Sequence, residues 1–256
     1  MTILNNFKNL FKKEDNVLTA KTMYSSTFEF AEVELAKKSY PKWFKDMPGK
    51  IDDYFPYPSK NDDFKSFKKP ISTVKSCPAI QGIFQTGVIV KAWCDITVIV
   101  SPEGIIECEY ADRRLHDRTP GSSHPYAQRP GFLKSHAHWK LHSPWIFSTK
   151  KLRKFLWSGA YWYNPYLIEN NIHIVPGVID YYTQTGTEIN MLFPIKSESY
   201  KIEFKFGDPL IHLIPLDDKP IQIKKQMLNT QEFHAQTNSH LKFIGSPSIL
   251  KSRSKD

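Results

Sequence analysis

From Gly82 to Leu216 the chain reads as a succession of short runs rich in β-branched and aromatic residues, spaced about ten residues apart and punctuated by Gly and Pro. That cadence is too short for helices of ordinary length and suits a sandwich or small barrel of many brief strands. Val88 to Val100 is the clearest run. It ends in Ser101-Pro102-Glu103-Gly104, a turn sequence, and is followed by Ile105 to Tyr110, so the pair predicts a hairpin. Further strands are predicted at Trp145 to Thr149, Phe155 to Trp157, Ile172 to Val175, Glu188 to Phe193, Tyr200 to Phe206 and Leu210 to Leu216.

The flanks read differently. Ile3, Leu4, Phe7, Leu10 and Phe11 recur at three- and four-residue spacing and predict a short amphipathic helix. Residues 22–75 mix Lys, Asp and aromatics without clear period, and Pro41, Pro48, Pro56, Pro58 and Pro70 forbid long helices there, which predicts a wrapping arm with short strands. Beyond Pro220, Ile221, Lys224, Lys225 and Leu228 sit at helical spacing, so Ile221 to His234 is expected to form a short helix before a tail. The expected organisation is an N-terminal helix and arm (1–75), a β-barrel core (76–220) and a C-terminal helix with tail (221–256).

Cys77, Cys94 and Cys108 show neither CxxC nor Cys/His finger spacing, which argues against a disulfide framework or a zinc module. No run approaches 18 apolar residues, so no membrane span is expected; the expected location is the cytoplasm, or a virion if the chain is phage-encoded. The 35 Lys and Arg against 26 Asp and Glu favour an acidic partner. No carboxylate occurs between Asp117 and Glu169, an interval that holds Lys150, Lys151, Arg153 and Lys154 beside Trp145 and Trp157. Cations interleaved with aromatics suit phosphates and bases, whether of a nucleotide or a nucleic acid, although the same pattern also fits a solvated basic face over a core, or a protein partner. A second cluster is His136, His138 and His142. Residues i and i+2 of a strand share a face, so His136 and His138 could chelate one metal, as in a cupin-like protein.

Three segments in order carry a resemblance. Ala92-Trp93-Cys94-Asp95-Ile96, Pro176-Gly177-Val178-Ile179-Asp180 and Gly207-Asp208-Pro209-Leu210-Ile211 look like segments of dUTPases and dCTP deaminases, over about residues 80 to 220. The chain also looks like a family of tailed phages and bacteria with no established activity, through Pro144-Trp145, the Gly177 to Asp180 segment and the Gly207 to Leu210 strand. The first resemblance implies a mainly β, dUTPase-like barrel of β-clip or jelly-roll type, a trimer, Asp180 as catalytic or sugar-facing carboxylate, Asp95 as a metal-side or structural carboxylate, and magnesium if a nucleotide is hydrolysed. Against that pattern, Gly186 stands one step too far after Asp180, residues 148–153 hold no counterpart of the phosphate-binding R-S-S-x-A segment, and no Gly-rich C-terminal phosphate loop follows. Without those donors the chemistry lacks its main electrostatic support. The expectation is therefore a degenerate, non-catalytic module that binds an anionic partner or serves as an interaction or structural subunit, with a nucleotide enzyme or a cupin-like metalloprotein as alternatives.

Overall fold

The computed structural model describes residues 16–57, 65–115, 119–124, 134–186 and 188–244. The helix predicted from Ile3 to Phe11 and the end of the tail lie outside them. In chain order the strands are β1 (Val17–Thr22), β2 (Val33–Leu35), β3 (Lys50–Tyr57), β4 (Lys65–Ser72), β5 (Val88–Lys91), β6 (Ile96–Val100), β7 (Ile106–Tyr110), β8 (Gly121–Ser123) and β9 (His136–His142). They continue with β10 (Ile146–Thr149), β11 (Lys154–Gly159), β12 (His173–Ile174), β13 (Gly177–Asp180), β14 (Glu188–Pro194), β15 (Tyr200–Phe204), β16 (Pro209–Pro215) and β17 (Gln222–Met227). The α-helices are α1 (Ser25–Phe30), α2 (Lys42–Asp46), α3 (Pro78–Gln85), α4 (Tyr166–Glu169) and α5 (Thr230–Ile244).

The architecture is mainly β, as the spacing of the short runs predicts. The strands form five open sheets rather than one closed barrel: β13-β11-β16-β5-β2, β12-β14-β9-β8, β15-β6-β7, β10-β1-β17 and the ribbon β3-β4. The predicted hairpin is β6–β7, and Gly104 supplies the positive φ (74°) that its turn requires. The long run Val88 to Val100 is divided by residues 92–95 between two different sheets.

A single large core lies among the sheets. Trp145, Phe147, Phe155, Phe193 and Phe204 are wholly removed from solvent there. Each such side chain contributes on the order of 1.5–3 kcal/mol of transfer free energy. A smaller aromatic cluster covers the other face of β5: Phe44 from α2 and Phe84 from α3 pack with ring centroids 4.4 Å apart, beside Ile89 and Tyr163.

One stretch corrects the sequence reading. Residues 222–227 form β17, parallel to β1, and the helix begins only at Thr230. The helical spacing of Ile221, Lys224, Lys225 and Leu228 is overridden by tertiary contacts. The Lys225 ammonium donates to the carbonyls of Phe28 (2.6 Å) and Ala31 (3.1 Å) at the C-terminal end of α1, an arrangement that extended backbone provides. The sheet β10-β1-β17 thereby joins strands drawn from near both ends of the chain and from its middle.

Strand β16 lies at the centre of the largest sheet, and His212 within it is buried at 4% exposure. Its Nε2 bonds the Thr86 carbonyl at 2.7 Å. Gly87, with φ of 93°, lies so close that a Cβ there would fall 2.2 Å from the Leu213 carbonyl oxygen. Burial lowers the His212 pKa below the usual imidazole range, against a smaller raising effect from the Thr86 bond. The sign follows: the unfolded chain binds a proton near pH 6.5 that the folded chain refuses, so stability is full above that pH and falls as the pH drops below it. Melting temperatures recorded from pH 7.5 to pH 5 should fall, each unit of depressed pKa being worth about 1.4 kcal/mol. His212→Gln, whose amide can still donate to Thr86, should flatten part of that fall; an unchanged slope would remove His212 from the account.

Candidate functional site

Asp180 ends β13, and its side chain is committed to shaping the turn that follows. Its Oδ1 accepts from the main-chain N–H of Tyr182 (3.0 Å) and of Arg153 (3.2 Å). Its carbonyl accepts from Gln184 N–H at 2.9 Å. Asp95 is exposed just before β6; its Oδ1 accepts from Phe206 N–H at 2.8 Å, and its Oδ2 lies 3.6 Å from the Lys205 ammonium. The two carboxylates do not meet. Asp180 stands opposite Lys154, whose carbonyl accepts from Leu216 N–H beyond the Pro215 end of β16, while Asp95 lies beside Phe206 and the Ala92–Asp208 link at the Pro209 end. The seven residues of β16 separate those ends by roughly 20 Å. Within one chain the two carboxylates therefore stand at opposite ends of β16 and do not share one ion.

The basic segment divides between surface and interior. Lys150, Lys151 and Lys154 are exposed, the first two in the turn between β10 and β11. Arg153 is buried at 6% exposure, and its guanidinium donates to Asp217 Oδ1 (2.7 Å) and to the Lys219 carbonyl (2.6 Å). It latches the loop after β16, beside a cleft of about 370 Å³ between residues 85–87 and 215–221. Trp145 is fully buried and Trp157 nearly so, at 7%; the Lys225 ammonium sits 5.8 Å from the Trp145 ring. Trp145 is thus a core residue, while the edge of Trp157 reaches a second cleft.

His136, His138 and His142 lie on one face of β9, with Ala137 and Leu141 on the buried face. They have separate surroundings. His138 stacks on His124, centroids 4.1 Å apart, and His124 Nε2 bonds Asn190 Oδ1 at 2.8 Å. His142 Nδ1 faces the Thr119 carbonyl at 3.1 Å, and His136 Nδ1 faces Ser135 Oγ at 3.0 Å. Among the described residues no group of three or more His, Cys, Asp or Glu is placed to hold a metal ion.

The second cleft, about 200 Å³, lies between β13 and the start of β14 and is lined by Trp157, Gly177, Val178, Gln184, Glu188 and Asn190 among others. Besides the side chains of Gln184, Glu188 and Asn190, main-chain groups reach its rim. Leu216 N–H donates to Lys154 and Ala160 N–H donates to Leu210, so the even-numbered residues of β11 bond β16 and the odd ones bond β13 at Gly177 and Ile179. Val178 therefore turns its N–H and C=O away from β11, and β13 has no other strand neighbour among the described residues. Across the cleft the same alternation holds. His142 N–H donates to Pro120, so even residues of β9 bond β8, odd ones bond β14, and Glu188 turns its N–H and C=O away from β9. Among the described residues, two strand edges without a strand neighbour thus border one cavity. Glu188 carries a salt bridge to Lys140 at 3.2 Å. Of the cleft's residues, sequence reasoning singled out Trp157 and the Gly177 to Asp180 segment for other reasons; Gln184, Glu188 and Asn190 carry no motif. Comparison with family models, with curated proteins and with solved structures finds no match to this chain.

The division of the basic segment has a measurable consequence. Arg153→Met should lower stability in urea by about 2 kcal/mol, because a buried charged hydrogen-bonding group is lost and the Lys219 carbonyl is left without its donor. Lys154→Ala, at an exposed position, should change it by less than about 0.5 kcal/mol. Equal effects would contradict the assignment of Arg153 to the fold and Lys154 to the surface.

Proposed function

We propose that this chain is a catalytically degenerate, dUTPase-like module that holds a pyrimidine nucleotide without cleaving it, as a binding or structural subunit. The observation that carries the reading is the pair of main-chain edges, at Val178 and Glu188, bordering one cleft. An open strand edge seeks a partner that alternates donor and acceptor. A planar ring with adjacent N–H and C=O groups meets that demand as a neighbouring strand does. About 200 Å³ lies below the 300 Å³ or so that larger ligands occupy, which favours a single ring over a purine. Trp157 offers an aromatic wall, and Lys140, whose ammonium lies 3.2 Å from the cleft residue Glu188, is a cation at hand for a phosphate left outside. Support for a non-catalytic role comes from the placement of Asp95 and Asp180 at opposite ends of β16 and from the two main-chain bonds that occupy Asp180 Oδ1.

Calorimetric titration with dUMP and dCMP should give saturable binding of at least one of them. Val178→Pro removes a donor at an edge position that tolerates proline, and should weaken binding about tenfold, the cost of one hydrogen bond. Asp180→Asn, which keeps the acceptor for both main-chain donors, should bind as the wild type does. Incubation with dUTP and magnesium should release no pyrophosphate; release that Asp180→Asn abolishes would establish the enzymatic alternative instead. Binding that ignores Val178→Pro, or no binding at all, removes the proposal.

A further inference from the structure

We propose that His136 and His173, with the Asn171 side-chain oxygen, form a site for a divalent transition ion of the zinc class. The site lies away from the cleft and does not depend on the nucleotide reading. His173 is opposite Leu192 and His136 is opposite Pro194, so both imidazoles stand on the same outer face of the sheet β12-β14-β9, with Met191 and Phe193 buried on the other. Their ring centroids are 5.5 Å apart at an interplanar angle of 60°. Two imidazole nitrogens bound to one ion at about 2.0–2.1 Å in tetrahedral geometry set the ring centroids roughly 5 Å apart, so a shared ion needs little movement of either ring.

The nitrogens also converge. Asn171 Nδ2 donates to His136 Nε2 at 3.5 Å, and Asn171 Oδ1 faces His173 Nε2 at 2.7 Å, so one amide sits between both Nε2 atoms. With the amide so oriented His136 Nε2 presents its lone pair to Asn171 Nδ2, while His173 Nε2–H donates to Asn171 Oδ1, a proton that His173 gives up or moves to Nδ1 on binding an ion; His136 Nδ1 is engaged by Ser135 Oγ, the type of outer contact that orients a ligand imidazole. Asn171 occupies the left-handed position after α4 (φ 53°), where Asn is accepted readily, so its side chain is presented by a rigid turn. Rotation of that amide would turn Oδ1 into a third donor, with water completing the shell. An N,N,O set of this kind suits Zn²⁺ better than Mg²⁺ or Ca²⁺, which prefer all-oxygen surroundings.

Thermal denaturation of the full chain in a phosphine reductant, with and without about a tenfold excess of ZnCl₂, should show a rise of about 2–4 °C for the wild type. His142→Ala, on the same strand face but bonded to Thr119, should keep that rise; His136→Ala and His173→Ala should each lose it. Titration with CoCl₂ reads the same site independently of stability: visible absorption of nitrogen-bound cobalt should develop with the wild type and not with His173→Ala. Asn171→Gly, which preserves the left-handed turn, should weaken the cobalt titration without abolishing it. A zinc response retained in full by His173→Ala, or a wild type that responds to neither ion, overturns the proposal.

Discussion

The pairing of β11 with β16 is the constraint on which the rest of the molecule depends. β16 is buried over most of its length, and its neighbours are held at close quarters by main-chain contacts such as the approach of Gly87 to Leu213. Once β16 bonds the even residues of β11, the odd ones are committed to β13, and the outward direction of Val178 follows without further choice. The period of two that alternates side chains across a sheet also alternates hydrogen-bonding groups within its plane. An edge is therefore defined as sharply as a face.

The same strand sets how the acidic groups are distributed. Asp95 and Asp180 sit in segments that look alike in sequence terms, each a carboxylate at a strand end, yet β16 places its length between them. Each finds main-chain donors locally: Phe206 for Asp95, Arg153 and Tyr182 for Asp180. A carboxylate satisfied in this way stabilises a turn, and its availability for other work is reduced in proportion to the hydrogen bonds it already accepts.

What could be read from the residues alone depended on whether a signal was local. The strands at 88–110, 146–149, 188–194 and 209–215 were legible because alternation and turn residues are local properties. β17 was not, because its extended form is selected by a parallel partner some two hundred residues earlier and by the carbonyls of α1 that Lys225 caps. Arg153 and Trp145 carry the composition of a ligand site but are held inside, and only the position of the 217–220 loop and of the core distinguishes them from exposed Lys154. The shared face of His136, His138 and His142 was legible from strand period. The partner His173 was not, since it comes from β12, brought alongside by β14, and the stacking of His124 on His138 depends on where β8 runs.

The cleft and the histidine pair are consequences of one irregularity, the short reach of β12. It pairs with β14 only at residues 191 and 192, so among the described residues Glu188, at the start of β14, has a strand neighbour on one side alone. Past that point the chain departs through Val175, whose N–H still reaches Asn190, into β13 and the other sheet. The strand that would have continued β12 beside Glu188 instead becomes the facing edge at Val178. The gap between them is the cleft, and the turn that aborts β12 on its other side is the one that sets Asn171 and His173 against His136. A longer β12 would close the first and displace the second, so both candidate sites rest on where a two-residue strand stops.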